Sequence, residues 1–166
     1  MLHLILNRIP RPFYILALRT AHWLRLRWWR ISGARVSGVR VVVIDPAERV
    51  LLIRHSYGSS NWMLPGGGMK RGEDACAAGG REVLEEAGLM IADAVEIGMV
   101  TDMIHGPNNE VRVVAGWTSG DPRADLREIT HAEFFALDSL PNHISPKLPA
   151  LLPGYVTAAK AARQHQ

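Results

Sequence analysis

Residues 62–89 read WMLPGGGMKRGEDACAAGGREVLEEAGL. Within them Gly67 is followed after five residues by Glu73, and seven residues later comes Arg81-Glu82-Val83, then Glu85-Glu86 and Gly88-Leu89. The pattern is G-x5-E-x7-R-E-U-x-E-E-x-G-U, with U aliphatic. Pro65-Gly66-Gly67-Gly68 suits neither a helix nor a central strand, so a tight loop is predicted that brings backbone close to something. Asp74 is placed to cap a helix, and Glu73 stands where the helix dipole favours an anion. The helix is predicted over about 75–87, stopped by Gly88 as a C-terminal glycine does.

Glu82, Glu85 and Glu86 fall at i, i+3 and i+4, which puts three carboxylates on one helix face. Ala75, Gly79, Val83 and Ala87 recur every four residues and make a small apolar face opposite. Clustered carboxylates raise one another's pKa and weaken the helix. Arg81, which reaches Glu85 at i+4, and hard cations are the two agents that can stabilise them. Oxygen ligands with open positions suit Mg²⁺ or Mn²⁺. The bland alternative is a solvated acidic face. It does not account for the glycine run and Glu73 beside the triplet. Gly79-Gly80 in mid-helix costs roughly 1 kcal/mol per glycine relative to alanine. Either something packs close there, or tertiary contacts hold the helix.

With every fixed position filled, the stretch resembles the box of the Nudix hydrolases, and Leu64-Pro65-Gly66-Gly67 is similar to that family's usual lead-in. The resemblance implies an α+β fold, an α/β/α sandwich with a mixed β-sheet. It also implies an enzyme that hydrolyses a pyrophosphate in a nucleoside diphosphate linked to another moiety, with Mg²⁺ as cofactor and Mn²⁺ able to substitute. By the same resemblance Glu82 and Glu86 are metal ligands, Glu85 a third ligand or a metal-water partner, and the Gly66 or Gly67 carbonyl completes the shell. Arg81 would orient Glu73 and Glu85. The family is not uniform about its general base. Glu128, which ends a loop before a strand, is the candidate here, with Glu133 and Glu110 behind it. Arg54, His55, Tyr57 and His105 are candidate substrate contacts, each weighed against an ordinary surface loop. Between Gly58 and Gly154 there is no tyrosine, and Pro107 does not align convincingly with the ADP-ribose marker, so the substrate stays at nucleotide or nucleotide-sugar class. Nucleic acid is not expected, capped RNA as a substrate excepted. The alternative reading is a non-catalytic binding module of the same fold, recruited by a basic arm. The intact set of glutamates argues against it.

Outward from the box, Val39–Ile44 and Val50–Ile53 flank the turn marker Asp45-Pro46 and read as a hairpin. Trp62–Leu64 reads as a short strand. Downstream, 94–103 and 110–117 are expected strands around a loop over 104–109. Residues 121–127 form a charged loop, and a strand is expected over 134–137. A terminal helix over about 148–162 is expected to break near Pro153-Gly154. The single cysteine, Cys76, lies in the first turn of the box helix and reads as a packed small residue rather than a nucleophile.

A chain of 166 residues, 48% hydrophobic and 21% charged, is one ordinary globular domain. Its net charge of +3 is unevenly spread. Residues 1–40 hold eight arginines and no acid or lysine, leaving 11 bases against 16 acids in the remainder. Two regions are therefore expected: an Arg/Trp-rich helical arm over 1–35 and the hydrolase domain over 36–166. No uncharged run in the arm exceeds seven residues, too short to span a bilayer. Arginine interleaved with tryptophan suits an interfacial helix on an anionic membrane surface. It suits equally a helix packed on its own domain, or self-association through residues 1–32. A cytoplasmic location is expected, with the arm offering a peripheral contact to the inner membrane face.

Overall fold

In the computed structural model, residues 37–101, 110–126 and 128–165 are described. The arm over 1–35 and the candidate His105 lie outside these residues. Valine and isoleucine dominate positions 39–44 and 50–53, and such β-branched side chains fit a pleated, buried surface. They form β1 (Ser37–Ile44) and β2 (Val50–His55). The elements that follow are β3 (Gly66–Gly68), α1 (Ala75–Ala87), β4 (Ala92–Thr101), β5 (Glu110–Trp117), β6 (Ile129–Phe135) and α2 (Leu148–Arg163).

The strands make one mixed sheet in the order β4-β5-β1-β2-β6, with β3 also pairing with β1. β1 and β5 run parallel from Ser37↔Glu110 to Ile44↔Trp117, and the other pairs are antiparallel. Alternation along β1 sends Val39, Val41 and Val43 to one face and Val42 and Ile44 to the other. The first face packs under α1 through Ala75, Ala78, Val83 and Ala87. The second packs under α2 through Leu148, Leu152, Val156 and Ala159. A sheet with a helix on each face is the α/β/α sandwich expected from the sequence.

The β1–β2 turn is fixed by a buried Asp45, whose carboxylate accepts from the Ala47 and Arg49 backbone and from Arg49 Nε at 2.7–3.0 Å. Beyond that turn the two strands part. They pair at Ile44↔Val50, and further along the segment after Asn61 enters between them. Met63 exchanges both backbone bonds with Ile53, Pro65 O accepts from Val41 N at 2.9 Å, and Gly66–Gly68 then pairs with Arg40–Gly38. The glycine run, expected as a loop, is therefore a three-residue strand. Its low strand propensity is offset because a neighbouring backbone supplies a ladder, and only glycine allows the approach described below.

Three further expectations shift. The last strand begins at Ile129, not Phe134, since Ile129 and Ala132 are the residues that face the α1 core. β4 begins at Ala92 and is described to Thr101. The terminal helix runs unbroken through Pro153. Pro153 lies six residues into α2, so its ring removes only the bond to the Pro149 carbonyl, in the first turn. Four buried side chains hold the helix to the sheet across that gap.

Candidate active site

Helix α1 forms where the sequence places it. Asp74 is its N-cap and accepts from Ala77 N at 3.0 Å, and Gly88, at φ 65°, closes it with a bond to Leu84 O. Its inward face carries Ala78, Gly79 and Val83, but also Glu86. Glu86 is only 9% exposed. Burying a carboxylate is expensive unless something compensates.

Strand β3 lies against that carboxylate. Gly66 N donates to Glu86 Oε2 at 2.9 Å. Gly66 has φ 152°, and a Cβ there would run into the Val39 carbonyl. A Cβ on Gly67 would sit 2.6 Å from the Glu82 carboxylate. The glycines thus present a bare backbone wall to two glutamates of the helix, which explains the spacing between the two halves of the motif.

Arg81 ties the remaining acids together. Its Nε and Nη2 donate to the two Glu73 oxygens at 2.9 and 3.0 Å, and Nη1 donates to Glu82 Oε1 at 2.7 Å. Nη2 also donates to Gly68 O at 3.1 Å. The i+4 partner expected from the helix, Glu85, is 61% exposed and 3.6 Å away, so Glu73 is the principal partner instead. The reason is geometric: Glu73 precedes the cap and presents both oxygens to the guanidinium fork.

These contacts set the electrostatics. Hydrogen bonds from Arg81 hold the Glu73 carboxyl down to about 2. Burial raises Glu82 above the usual carboxylate range, with Arg81 opposing. Burial also pushes Glu86 up to about 8; the Gly66 bond opposes this, while Glu82, Glu128 and Glu85 add to it. Among the described residues no three acid, imidazole or thiol groups are gathered closely enough to chelate an ion unaided. Arg81 engages Glu82 and the Gly66 amide engages Glu86, so the three-carboxylate cluster read from helical spacing is not preassembled. The donor set still fits a hard divalent cation. It is all oxygen, crowded with negative charge, and buried where carboxylates resist ionisation without a compensating charge.

Several other candidates converge on Glu86. His55 Nε2 stands 3.9 Å from Glu86 Oε1. The Tyr57 ring lies 5.6 Å from that of His55, and Tyr57 Oη donates to Glu128 Oε1 at 3.3 Å. Glu128 is near enough to Glu86 to raise its pKa. Arg54 does not join this group. Its guanidinium lies 5.8 Å from the Trp62 ring, on the α2 side of the sheet, and its Nε donates to Ser60 O. Glu110 and Glu133, the alternatives to Glu128, sit within β5 and β6 as exposed strand residues. Cys76 is half-buried, and burial raises its thiol pKa, as a packing residue requires.

Two residues of this region were not singled out in the sequence. Ser56 N donates to Glu128 O at 2.8 Å, and the Asp125 carboxylate accepts from the Glu128 and Ile129 amides. An Asp three residues before Glu128, just ahead of a strand, is a turn signal that could have drawn attention to Asp125.

The comparisons with known proteins agree with this geometry. The sequence pattern of the NUDIX domain matches residues 34–154. A MutT NUDIX hydrolase from Burkholderia pseudomallei superposes with a TM-score of 0.59 at 25% identity, covering 79% of this chain and 97% of that one. A nudix hydrolase family member from Chromobacterium violaceum gives a TM-score of 0.61 at 22% identity, with 80% and 88% coverage. A MutT protein from Methanosarcina mazei Go1 gives 0.55 at 19%, with 79% and 94% coverage. The comparison with curated proteins returns no match. A domain match over most of the chain, the sandwich fold, and a box helix set against a glycine strand lead to one assignment: the chain belongs to the Nudix family and is a Nudix hydrolase, an enzyme of pyrophosphate hydrolysis.

Proposed function

We propose that this enzyme cleaves the pyrophosphate of a nucleoside diphosphate linked to another moiety, a nucleotide or nucleotide sugar, in a reaction dependent on Mg²⁺ or, in its place, Mn²⁺. The observation that carries the reading is the buried Glu86 carboxylate against the glycine strand, with Glu82 beside it. Glu82, Glu86 and the Gly66 carbonyl would hold the cation, because Gly67 stands in the hydrogen-bonded register opposite Val39 and its carbonyl is committed to β1. Glu85 would turn in from solvent as a third carboxylate. When bound, the cation would neutralise phosphate charge and acidify a water.

The protein's own groups supply the rest. Arg81 keeps Glu82 from swinging away while its hold on Glu73 anchors the start of the helix. Glu128 faces the site across from Glu86 and takes the proton of the attacking water. The water oxygen bonds to phosphorus as the bridging P–O bond breaks, giving two phosphate-terminated products. His55 and Tyr57 border the same space and suit contact with substrate phosphate or base.

The test is phosphate release by the full chain, with and without Mg²⁺. The panel comprises nucleoside triphosphates, ADP-ribose, UDP-sugars, dinucleoside polyphosphates and capped RNA. Products with only one terminal phosphate are scored after phosphatase treatment. A metal-dependent signal on a member of the panel is expected. Folded, metal-loaded protein that hydrolyses none of them would overturn the reading.

A further inference from the structure

Three irregularities meet at Glu128. The β2–β6 ladder shifts register between Arg54 and His55, the last pair being His55↔Ile129. Leu126, exposed and bulky, sits in the left-handed region at φ 59°. Between them Asp125 folds back on the chain. Its Oδ1 accepts from Glu128 N at 3.0 Å and from Ile129 N at 2.9 Å, and its Oδ2 lies 3.3 Å from the same Glu128 amide. Leu126 N then donates to Ile129 O at 2.9 Å, closing the turn.

From the opposite side, Ser56 N donates to Glu128 O at 2.8 Å, and Tyr57 Oη reaches its carboxylate at 3.3 Å. The amide, the carbonyl and the side chain of one residue are therefore each fixed by a group outside the regular ladder. A surface turn has no need of this. A bulge re-aims side chains near functional sites, and a bulky residue at positive φ persists only where its surroundings over-determine it.

We propose that Asp125 is a positioning residue, which clamps Glu128 at the distance from Glu86 that the hydrolytic step requires. The left-handed Leu126 is the conformation that lets this carboxylate fold back onto the two amides. The inference rests on Glu128 serving the reaction as proposed above. It concerns a different residue, one that touches neither substrate nor metal.

The experiment is a double-mutant cycle in the full chain, on whichever panel substrate the parent hydrolyses best. D125A should lower kcat by roughly 10–100-fold, as loss of an orienting partner does, with KM little changed. D125N should recover most of the loss, because its amide oxygen accepts the same two N–H bonds. In an E128Q background, D125A should have little further effect, since residues that act as a unit are not additive. The proposal falls if D125A leaves kcat unchanged, or if D125N is no better than D125A. It also falls if the loss from D125A is undiminished in the E128Q background, because the residue then only stabilises the loop. A parent inactive on the whole panel overturns the functional reading and the positioning role together. An active parent with an unaffected D125A overturns the positioning role alone.

Discussion

Helices α1 and α2 cover opposite faces of one sheet and are built differently. α2 buries Leu148, Leu152, Val156 and Ala159, an apolar stripe at helical spacing. α1 buries small residues, and then spends the rest of its inward face on Glu86, with Glu82 alongside. α2 buries no charged group against the sheet. α1 sacrifices stability to hold carboxylates where water cannot fully solvate them. The contrast teaches where to look in such a sandwich: the face on which polar groups are buried against bare backbone is the one that carries the proposed site.

The sharpest way to break the contrast is a pair of substitutions. Glu86→Gln in α1 should lower kcat by more than the roughly 10–100-fold typical of an orienting residue. The same change should leave the metal-free fold intact, and make it more stable above about pH 8, where a neutral amide is less costly to bury than the ionised carboxylate. Leu152→Ala in α2 should do the reverse. Leu152 is fully buried, and its truncation should destabilise by about 2–5 kcal/mol, with kcat per folded molecule unchanged. Chemical denaturation and metal-dependent turnover measured on the same preparations check both. Full activity in Glu86→Gln removes it from the metal site.

How much of this was legible beforehand divides along the same line. The box helix could be read nearly to the residue, because capping, glutamate spacing and the terminal glycine are local signals. Asp74, Gly88 and the buried position of Val83 all follow from them. The glycine strand was not legible, because its ladder comes from β1, some thirty residues earlier in the chain. The unbroken α2 was hidden for a similar reason: propensity marks Pro153 as a breaker, and only the contacts across the sheet override it. Within the site, helical spacing points Arg81 only at Glu85; Glu73, which takes two of its hydrogen bonds, lies before the helix begins and is reached through the family resemblance instead. Asp125 reads in the sequence as one charge in a charged loop. Its role depends on which amides it faces, and composition does not say that.

The same contrast has a pH dependence. Glu86 has a folded pKa of about 8, above the ordinary 4.5 of a glutamate. The folded chain therefore binds this proton more tightly than the unfolded chain does. Metal-free protein has the full benefit below about pH 4.5, and loses it progressively as pH rises through about 8. Thermal midpoints of the metal-free chain should fall across that window. Glu86→Gln should flatten the fall, and Leu152→Ala should merely displace the whole curve downward. Mg²⁺ should raise the midpoint most at the alkaline end, where the carboxylate is ionised, and its binding near pH 7 should release protons. A midpoint that rises with pH in this window would reverse the assignment of the buried charge.

The smallest effect tests why α1 tolerates two glycines in its middle. They are neighbours, yet the structure treats them differently. A Cβ on Gly79 would lie 3.1 Å from Val41 Cγ2 and 3.4 Å from Val114 Cγ1, so the helix rides close on β1 and β5 at that point. A Cβ on Gly80 would meet nothing within 4 Å. Alanine at either site should gain up to about 1 kcal/mol of helix propensity. At Gly80 that gain should appear in full as added stability. At Gly79 the extra methyl requires Val41 or the helix to give by a few tenths of an ångström; with Val41 fully buried, overpacking of about 1–3 kcal/mol should outweigh the gain. Since the helix carries Glu82 and Glu86 against β3, the displaced Gly79→Ala helix should also lose turnover, while Gly80→Ala keeps it. Equal stability changes at the two sites would mean that close packing is not what holds the box helix in register with the glycine strand.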